Sequence, residues 1–234
     1  MRTSIRSLIV KAICSKQGIA KFSDINSFLK THYSDYNPAS TPQQITYYLR
    51  CLAEEGVIYK ETRGVYRLRT FRYCIPFWDV CPKFSLLTAL GRRDSRDIPE
   101  PLVALNLLKE SFERKLRGQE EIVISPIKII TTATALGEWK DRTEDLSRIG
   151  EFKVVPEEYL ISLEKIFQLL VKIVDELEKE TIPILDCTPL TKIYTIAIFN
   201  IAIRRGLPVI YIYEAKKKLI FIQSLEQLKN MRLF

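Results

Sequence analysis

Ile182-Pro183-Ile184-Leu185-Asp186-Cys187-Thr188-Pro189-Leu190-Thr191-Lys192 is the stretch on which the reading of the second half of the chain turns. Its first five residues form a compact apolar run ending in Asp186, of the length and composition of a buried strand. A mostly apolar segment follows and closes in Arg204-Arg205-Gly206, so a helix is expected over Leu190–Arg205 with Gly206 as its stop. Pro208 to Tyr213 then reads as a strand, and the turn Glu214 to Lys218 leads into a last strand, Leu219 to Gln223, as a hairpin. Strand, helix and strand in this order form a parallel pair joined by a crossover.

The same alternation continues upstream. Phe84 to Leu90 reads as a strand ending at Gly91, and Pro101 to Leu116 as a helix with Leu102, Leu105, Leu108 and Phe112 on one face. An extended region over Glu121 to Ala135 is interrupted at Ser125-Pro126. Pro156 to Glu180 carries Leu160, Leu163, Phe167, Leu170, Val174 and Leu177 on one stripe, as core packing or a helix dimer contact would require. An α/β, Rossmann-like domain with a mainly parallel sheet is therefore expected over residues 83–234. The segment Gly137 to Gly150, with Trp139, Lys140 and Arg142, lacks periodicity and reads as a loop suited to act as a lid. No G-x-G-x-x-G or Walker A pattern is present, so a dinucleotide cofactor or a nucleotide triphosphatase has no support.

Between strand and helix, the free N–H groups of the helix start, two threonine hydroxyls and the Lys192 ammonium converge where a phosphate can sit. Ordinary helix capping by Thr188 beside a solvated Lys192 accounts for the same residues equally well.

The first 70 residues follow another pattern. Ile5, Leu8, Ile9, Ala12 and Ile13 mark an amphipathic helix ending near Gly18. A second helix is expected from Ser23 as N-cap, with Ile25, Phe28 and Leu29 inward. A third has Thr41 as N-cap, Pro42 at its first position, Gln44 at the capping-box position and Gly56 as its stop. Ile45, Tyr48, Leu49, Leu52 and Ala53 take its buried stripe, leaving Gln43, Gln44, Thr46, Tyr47 and Arg50 outward. Two short strands, Val57 to Lys60 and Val65 to Arg69, flank a turn at Glu61 to Gly64.

Three helices followed by a basic hairpin resemble the winged helix-turn-helix domain, over residues 1–70. The resemblance implies that the third helix enters the major groove of double-stranded DNA and the hairpin lies along the backbone. Gln43, Gln44 and Arg50 become candidates for base contact, where a good bidentate pair discriminates by about 1 to 3 kcal/mol. Thr46 and Tyr47 share that face, and Lys60, Arg63, Arg67 and Arg69 would hold phosphates. Charge agrees: residues 1–75 hold 12 Lys+Arg against 5 Asp+Glu, a net of +7, within a whole-chain charge of +8. Residues 71–82, rich in aromatics and including Trp78, are expected to link the domains.

The 234 residues, 47% hydrophobic and 27% charged, suffice for one sizeable core or two small ones. The uncharged run Ile193 to Ile203, 11 residues long, is too short to span a bilayer, and Met1 to Arg6 lacks a secretory pattern. A cytoplasmic protein with no membrane partner is expected. The five cysteines contain no C-x-x-C pair and His32 is the single histidine, so no metal site or cofactor is expected. Cys14 and Cys51 fit buried reduced thiols, and a Cys74–Cys81 bridge needs the intervening loop to fold back.

Asp186-x-Thr188-x-x-Thr191-Lys192 after a strand, then an apolar helix closing in Arg204-Arg205-Gly206 and a Val209-Ile210-Tyr211 strand, is similar to the ligand-binding segment of CRISPR-associated Rossmann-fold (CARF) domains. The strand and helix order matches that family over residues 83–223, and Ala89-Leu90-Gly91-Arg92-Arg93 lies where the family places its other ligand loop. The resemblance implies a homodimer that binds a cyclic oligoadenylate, with cyclic tetra-adenylate suiting two-fold symmetry, through Gly91, Arg92, Thr188, Thr191 and Lys192. Members carrying a winged helix are transcription regulators of CRISPR loci, part of antiviral defence, or ring nucleases. The reading placed first is a cyclic-oligoadenylate-responsive, DNA-binding transcription regulator. Its alternatives are a metal-independent ring nuclease, in which Lys192 would be the catalytic residue that stabilises developing charge, and a plain winged-helix regulator whose second domain only dimerises. Where the family carries Gly-Gly this chain has Pro189-Leu190, which removes one N–H, and the best-known archaeal regulators carry the winged helix at the other end.

Overall fold

The computed structural model describes residues 4–77, 83–94, 96–115, 123–213, 216–224 and 227. They fall into two compact units, divided between residues 77 and 83. Among the described residues, no helix is long and apolar enough to cross a membrane.

The first unit contains α1 (Ile5–Ser15), β1 (Ile19–Lys21), α2 (Phe22–His32), α3 (Thr41–Glu54), β2 (Ile58–Thr62) and β3 (Val65–Leu68). Its helices pack through Ile9, Ile13, Ile25, Leu29, Ile45, Leu49 and Leu52, all buried. The strands form an antiparallel sheet in the order β1-β3-β2. β1, with three residues, is too short to show a period of two and was not foreseen. Two helix starts differ from expectation. α2 begins at Phe22 rather than after Ser23, because the Asp24 carboxylate accepts from the Lys21 N–H at 3.0 Å. Thr41 is the first residue of α3 instead of its cap, and its hydroxyl accepts from the Asn37 N–H at 2.7 Å.

Residues Phe71–Phe77, the start of the expected linker, form a 3-10 helix belonging to this unit, with Phe71, Cys74 and Ile75 buried. A disulfide joins Cys74 to Cys14 on α1, with Cα atoms 5.6 Å apart. This corrects the expectation of a reduced Cys14, and it gives Cys74 a partner other than Cys81. A pairing across 60 positions leaves no local trace in sequence, because it depends on two distant elements arriving at bonding distance. Gly18 makes the approach possible: it has φ +87°, and a Cβ there would lie 2.7 Å from the Phe71 ring. The rest of the expected linker, including Trp78 and Cys81, lies outside the described residues.

The second unit runs β4 (Lys83–Ala89), α4 (Glu100–Lys115), β5 (Val123–Thr131), α5 (Ala133–Glu138), α6 (Thr143–Ile149), β6 (Glu151–Val154), α7 (Glu157–Leu160), α8 (Leu163–Leu177), β7 (Ile182–Asp186), α9 (Lys192–Arg205), β8 (Val209–Tyr213) and β9 (Lys218–Gln223). The six strands are ordered β6-β5-β4-β7-β8-β9, all parallel except β9, which pairs antiparallel with β8. Numbered within the unit this is 3-2-1-4-5-6, the doubly wound order, so the mainly parallel sheet is as expected. The direction of winding reverses between β4 and β7. β4, β7 and most of β8 are buried, and Phe84 stacks on Phe112 of α4 with centroids 4.7 Å apart.

Three features correct the sequence reading. The extended segment stops at Thr131, and Thr132 caps α5 by accepting from the Ala135 N–H. The expected lid at residues 137–150 is a helical module instead: Trp139 and Leu146 are fully buried, and α6 leads into β6, a charged edge strand that lacks a buried apolar face. The helix expected over Pro156–Glu180 is two helices, parted at Ile161 and Ser162 where Ser162 caps α8. Of the expected stripe Leu160, Leu170, Val174 and Leu177 are buried, whereas Leu163 is exposed and Phe167 half-buried; Ile166 and Ile173 complete the core face of α8. Leu116, Glu121, Ile122, Glu214 and Ala215 of the expected elements lie outside the described residues.

Candidate ligand site and candidate nucleic-acid face

At the end of β7 the chain is turned by Asp186, whose side chain is fully buried. One carboxylate oxygen accepts from the Thr88 hydroxyl on β4 at 2.8 Å, and the other accepts from the Thr188 N–H at 2.9 Å. A buried carboxylate held this way joins the two strands at the reversal and curls the loop back over them. The Thr188 hydroxyl accepts from the Ile212 N–H of β8 at 2.7 Å. Thr191, not Thr188, is the helix cap: it accepts from the Tyr194 N–H at 3.3 Å and donates to the Leu160 carbonyl at 2.8 Å. Both threonines are thus structural staples, and α9 begins at Lys192 rather than at Leu190. Leu190 has φ +69°, a left-handed conformation that costs a non-glycine residue about 1 to 2 kcal/mol.

The facing loop leaves β4. Gly91 is buried, its carbonyl accepts from the Trp139 indole at 3.0 Å, and a Cβ there would lie 3.0 Å from a Glu100 carboxylate oxygen. Arg93 stacks over Trp139 and pairs with Asp141 at 2.6 Å, and Arg96 pairs with the buried Glu100. Between the two loops lies a cavity of about 280 Å³ whose lining includes Gly91, Arg92, Thr188, Leu190 and Thr191. Four of the five expected ligand residues meet there. Lys192 does not line it; it stands exposed on the first turn of α9. The lining also holds Arg96, Asp94, Glu100 and Glu157, so the cavity is of mixed charge. Burial together with Asp186 pushes the Cys187 thiol up to about 12, which keeps it neutral and a poor nucleophile. The Tyr194 phenol is likewise raised by burial beside Asp186, and has no hydrogen-bond partner among the described residues.

In the first unit Gln43, Gln44, Thr46, Tyr47 and Arg50 are all exposed on one face of α3, as expected. Arg50 pairs with Glu54 at 2.8 Å, an open surface contact that a phosphate can replace. Lys60 and Arg63 are exposed at the β2–β3 hairpin together with Arg69, whereas Arg67 is forked onto Glu61.

The solved structures add a distant likeness. The chain is similar to Can2 from Sulfobacillus thermosulfidooxidans in complex with cyclic tetra-adenylate, at 12% identity and TM-score 0.40, over 60% of this chain and 35% of that one. It is also similar to Enterococcus italicus Csm6 bound to cyclic hexa-2'-fluoro-hexa-dAMP, at 11% identity and TM-score 0.45, over 63% and 42%. The likeness therefore spans less than half the length of either protein. No protein-family model matches the chain, and no curated protein does.

Sequence reasoning missed the residues that build the site rather than line it. Asp186 stood in the motif without a role, though a carboxylate closing an apolar strand is itself a signal of a satisfied turn. Trp139, expected on a lid, is fully buried and holds the Gly91 loop by donating its indole N–H to the Gly91 carbonyl. Thr88, inside an apolar strand, carried no sequence signal of its pairing with a residue 98 positions away.

Proposed function

We propose that this protein is a homodimeric, cyclic-oligoadenylate-responsive DNA-binding regulator, with a CARF-type second unit and a winged helix-turn-helix first unit. The observation that carries the reading is the meeting of Gly91 and Arg92 with Thr188 and Thr191 in one cavity at the strand reversal, where doubly wound sheets bind ligands. The motif resemblance supplies the ligand class. A cavity of about 280 Å³ holds only part of a cyclic tetra-adenylate, so two copies facing each other across a two-fold axis would enclose the ring. Arg92 and Lys192, which make no ion pair among the described residues, are the cations left for its phosphates. The exposed Ile161, Leu163, Ile196 and Ile203 offer apolar surface to the second copy. In the first unit, the element order, the antiparallel sheet and the exposed α3 residues support DNA reading, with Lys60, Arg63, Arg67 and Arg69 on the backbone.

The ligand acts by favouring one of two dimer arrangements that differ in DNA affinity. Fluorescence anisotropy of a labelled operator duplex, titrated with and without cyclic tetra-adenylate, tests this. A shifted dissociation constant is expected, together with a raised Tm on ligand addition. Equal DNA affinities and an unmoved Tm would reject the switch.

A further inference from the structure

Three cavities of the second unit adjoin one another through shared lining residues. The switch-point cavity shares Arg96 and Glu100 with a chamber of about 420 Å³, and that chamber shares Leu107 and Lys217 with an open groove of about 640 Å³. The floor is one face of α4: Val103, Leu107, Ser111 and Arg114 recur at helical spacing over about 16 Å.

The two ends of this floor differ in chemistry. The chamber is walled by Ile98, Val103, Leu107 and Ile212; its polar groups are Asp97 and Asn106, the paired Arg96 and Glu100 it shares with the switch-point cavity, and the Lys217 it shares with the groove. The groove is cationic, drawing Arg114, Lys216, Lys217 and Lys218 together against Glu110 alone. Several other cations of the unit are paired, as in Arg93–Asp141, Arg142–Asp145 and Arg205 with Asp175 and Glu178. The four cations of the groove have no ion pair among the described residues. Four like charges gathered around a single carboxylate repel, and a ligand with several negative charges relieves that repulsion.

We infer that the chamber and the groove together are a second ligand site, which takes a nucleoside 5'-phosphate with its base in the chamber and its phosphates on Arg114, Lys216, Lys217 and Lys218. The chamber is in the size range of small-molecule sites and offers apolar walls to the faces of a flat ring. The Asn106 amide supplies a donor and an acceptor for the ring edge, the pattern that pairs with adenine. Lys217 belongs to both compartments and so stands where sugar and phosphate join. An acidic peptide would use the cationic groove and leave the chamber unfilled. The inference does not depend on the cyclic oligoadenylate reading, since Arg92 lines the switch-point cavity alone.

Isothermal titration of the full chain with ATP, adenosine and inorganic tripolyphosphate tests it. ATP is expected to bind in the micromolar range and each fragment about tenfold or more weaker. Lys217→Glu with Lys218→Glu removes the phosphate end, and Leu107→Trp fills the chamber without changing charge. Each is expected to weaken ATP about tenfold or more at an unchanged Tm, whereas Arg92→Ala leaves ATP affinity as it is. If Leu107→Trp unfolds the chain, the charge variant decides. Absence of heat with ATP would overturn the inference, as would tripolyphosphate binding as tightly as ATP. A single-stranded RNA or poly-glutamate binding more tightly than ATP would assign the groove to a polymer and overturn it equally.

Discussion

Thr188 shows how one side chain can be legible in type and misread in role. A hydroxyl after a buried strand suggests either a phosphate contact or a helix cap, yet here it accepts the Ile212 N–H at 2.7 Å and ties the loop to β8. Thr188→Val keeps the shape and strands that buried donor, so a loss of about 1 to 3 kcal/mol is expected in chemical denaturation, with Thr188→Ser close to the parent. Leu190 is read in the same light: where the resembling family has glycine, this chain holds leucine at φ +69°, which the staples at Thr188 and Thr191 on either side keep in place. Cys187 gives a prediction in pH. Its thiol is pushed from an ordinary 9.0 up to about 12, chiefly by burial. Below pH 9 the thiol is neutral in both folded and unfolded chains; between these values the unfolded chain ionises first, so stability falls as pH rises. Cys187→Ala is expected to flatten that fall in melts between pH 8.5 and 10, and site-resolved mass spectrometry at pH 8 should find native Cys187 unalkylated while half-buried Cys51 reacts.

Among the elements, those with their own periodicity were legible. The helices α1, α3, α4 and α9 and the strands β4, β7 and β8 stand within a few residues of where alternation and helical spacing put them. The elements missed are those that neighbours define. β1 is ordered by pairing with β3, and β6 by pairing with β5, while neither has an apolar stripe of its own. The module around Trp139 reads as a lid because it lacks periodicity, but its charges are pairs such as Arg142–Asp145 and Arg148–Glu144. The Cys14–Cys74 disulfide belongs to the same class, and it closes a loop spanning 60 positions around α2, α3 and the hairpin. By the chain-entropy argument such a loop contributes about 4 kcal/mol. Cys14→Ser with Cys74→Ser, or reduction with dithiothreitol, is therefore expected to lower the melting of the first unit. A Tm unmoved by both would show that Phe71 and Ile75 hold the 3-10 segment on α1 without the bond.

For the whole molecule the decisive quantity is where the charge lies. Residues 1–75 carry a net +7 of the chain's +8, while many cations of the second unit are neutralised by partners. If the first unit binds duplex DNA, its affinity must fall with salt, because each phosphate contact releases counterions at about 0.9 in the slope of log K against log salt. Lys60 and Arg63 are exposed at the hairpin and change no buried contact when replaced. Lys60→Ser with Arg63→Ser should thus reduce the slope by about 2 per protomer and weaken all sequences alike. Gln43→Ala with Gln44→Ala should do the opposite, leaving the slope and narrowing the gap between operator and random duplex by about 1 to 3 kcal/mol per base pair read. Anisotropy titrations from 50 to 200 mM salt separate the two effects. A slope untouched by the hairpin variant would move the backbone contacts off the hairpin, and a gap untouched by the glutamine variant would take base reading away from α3.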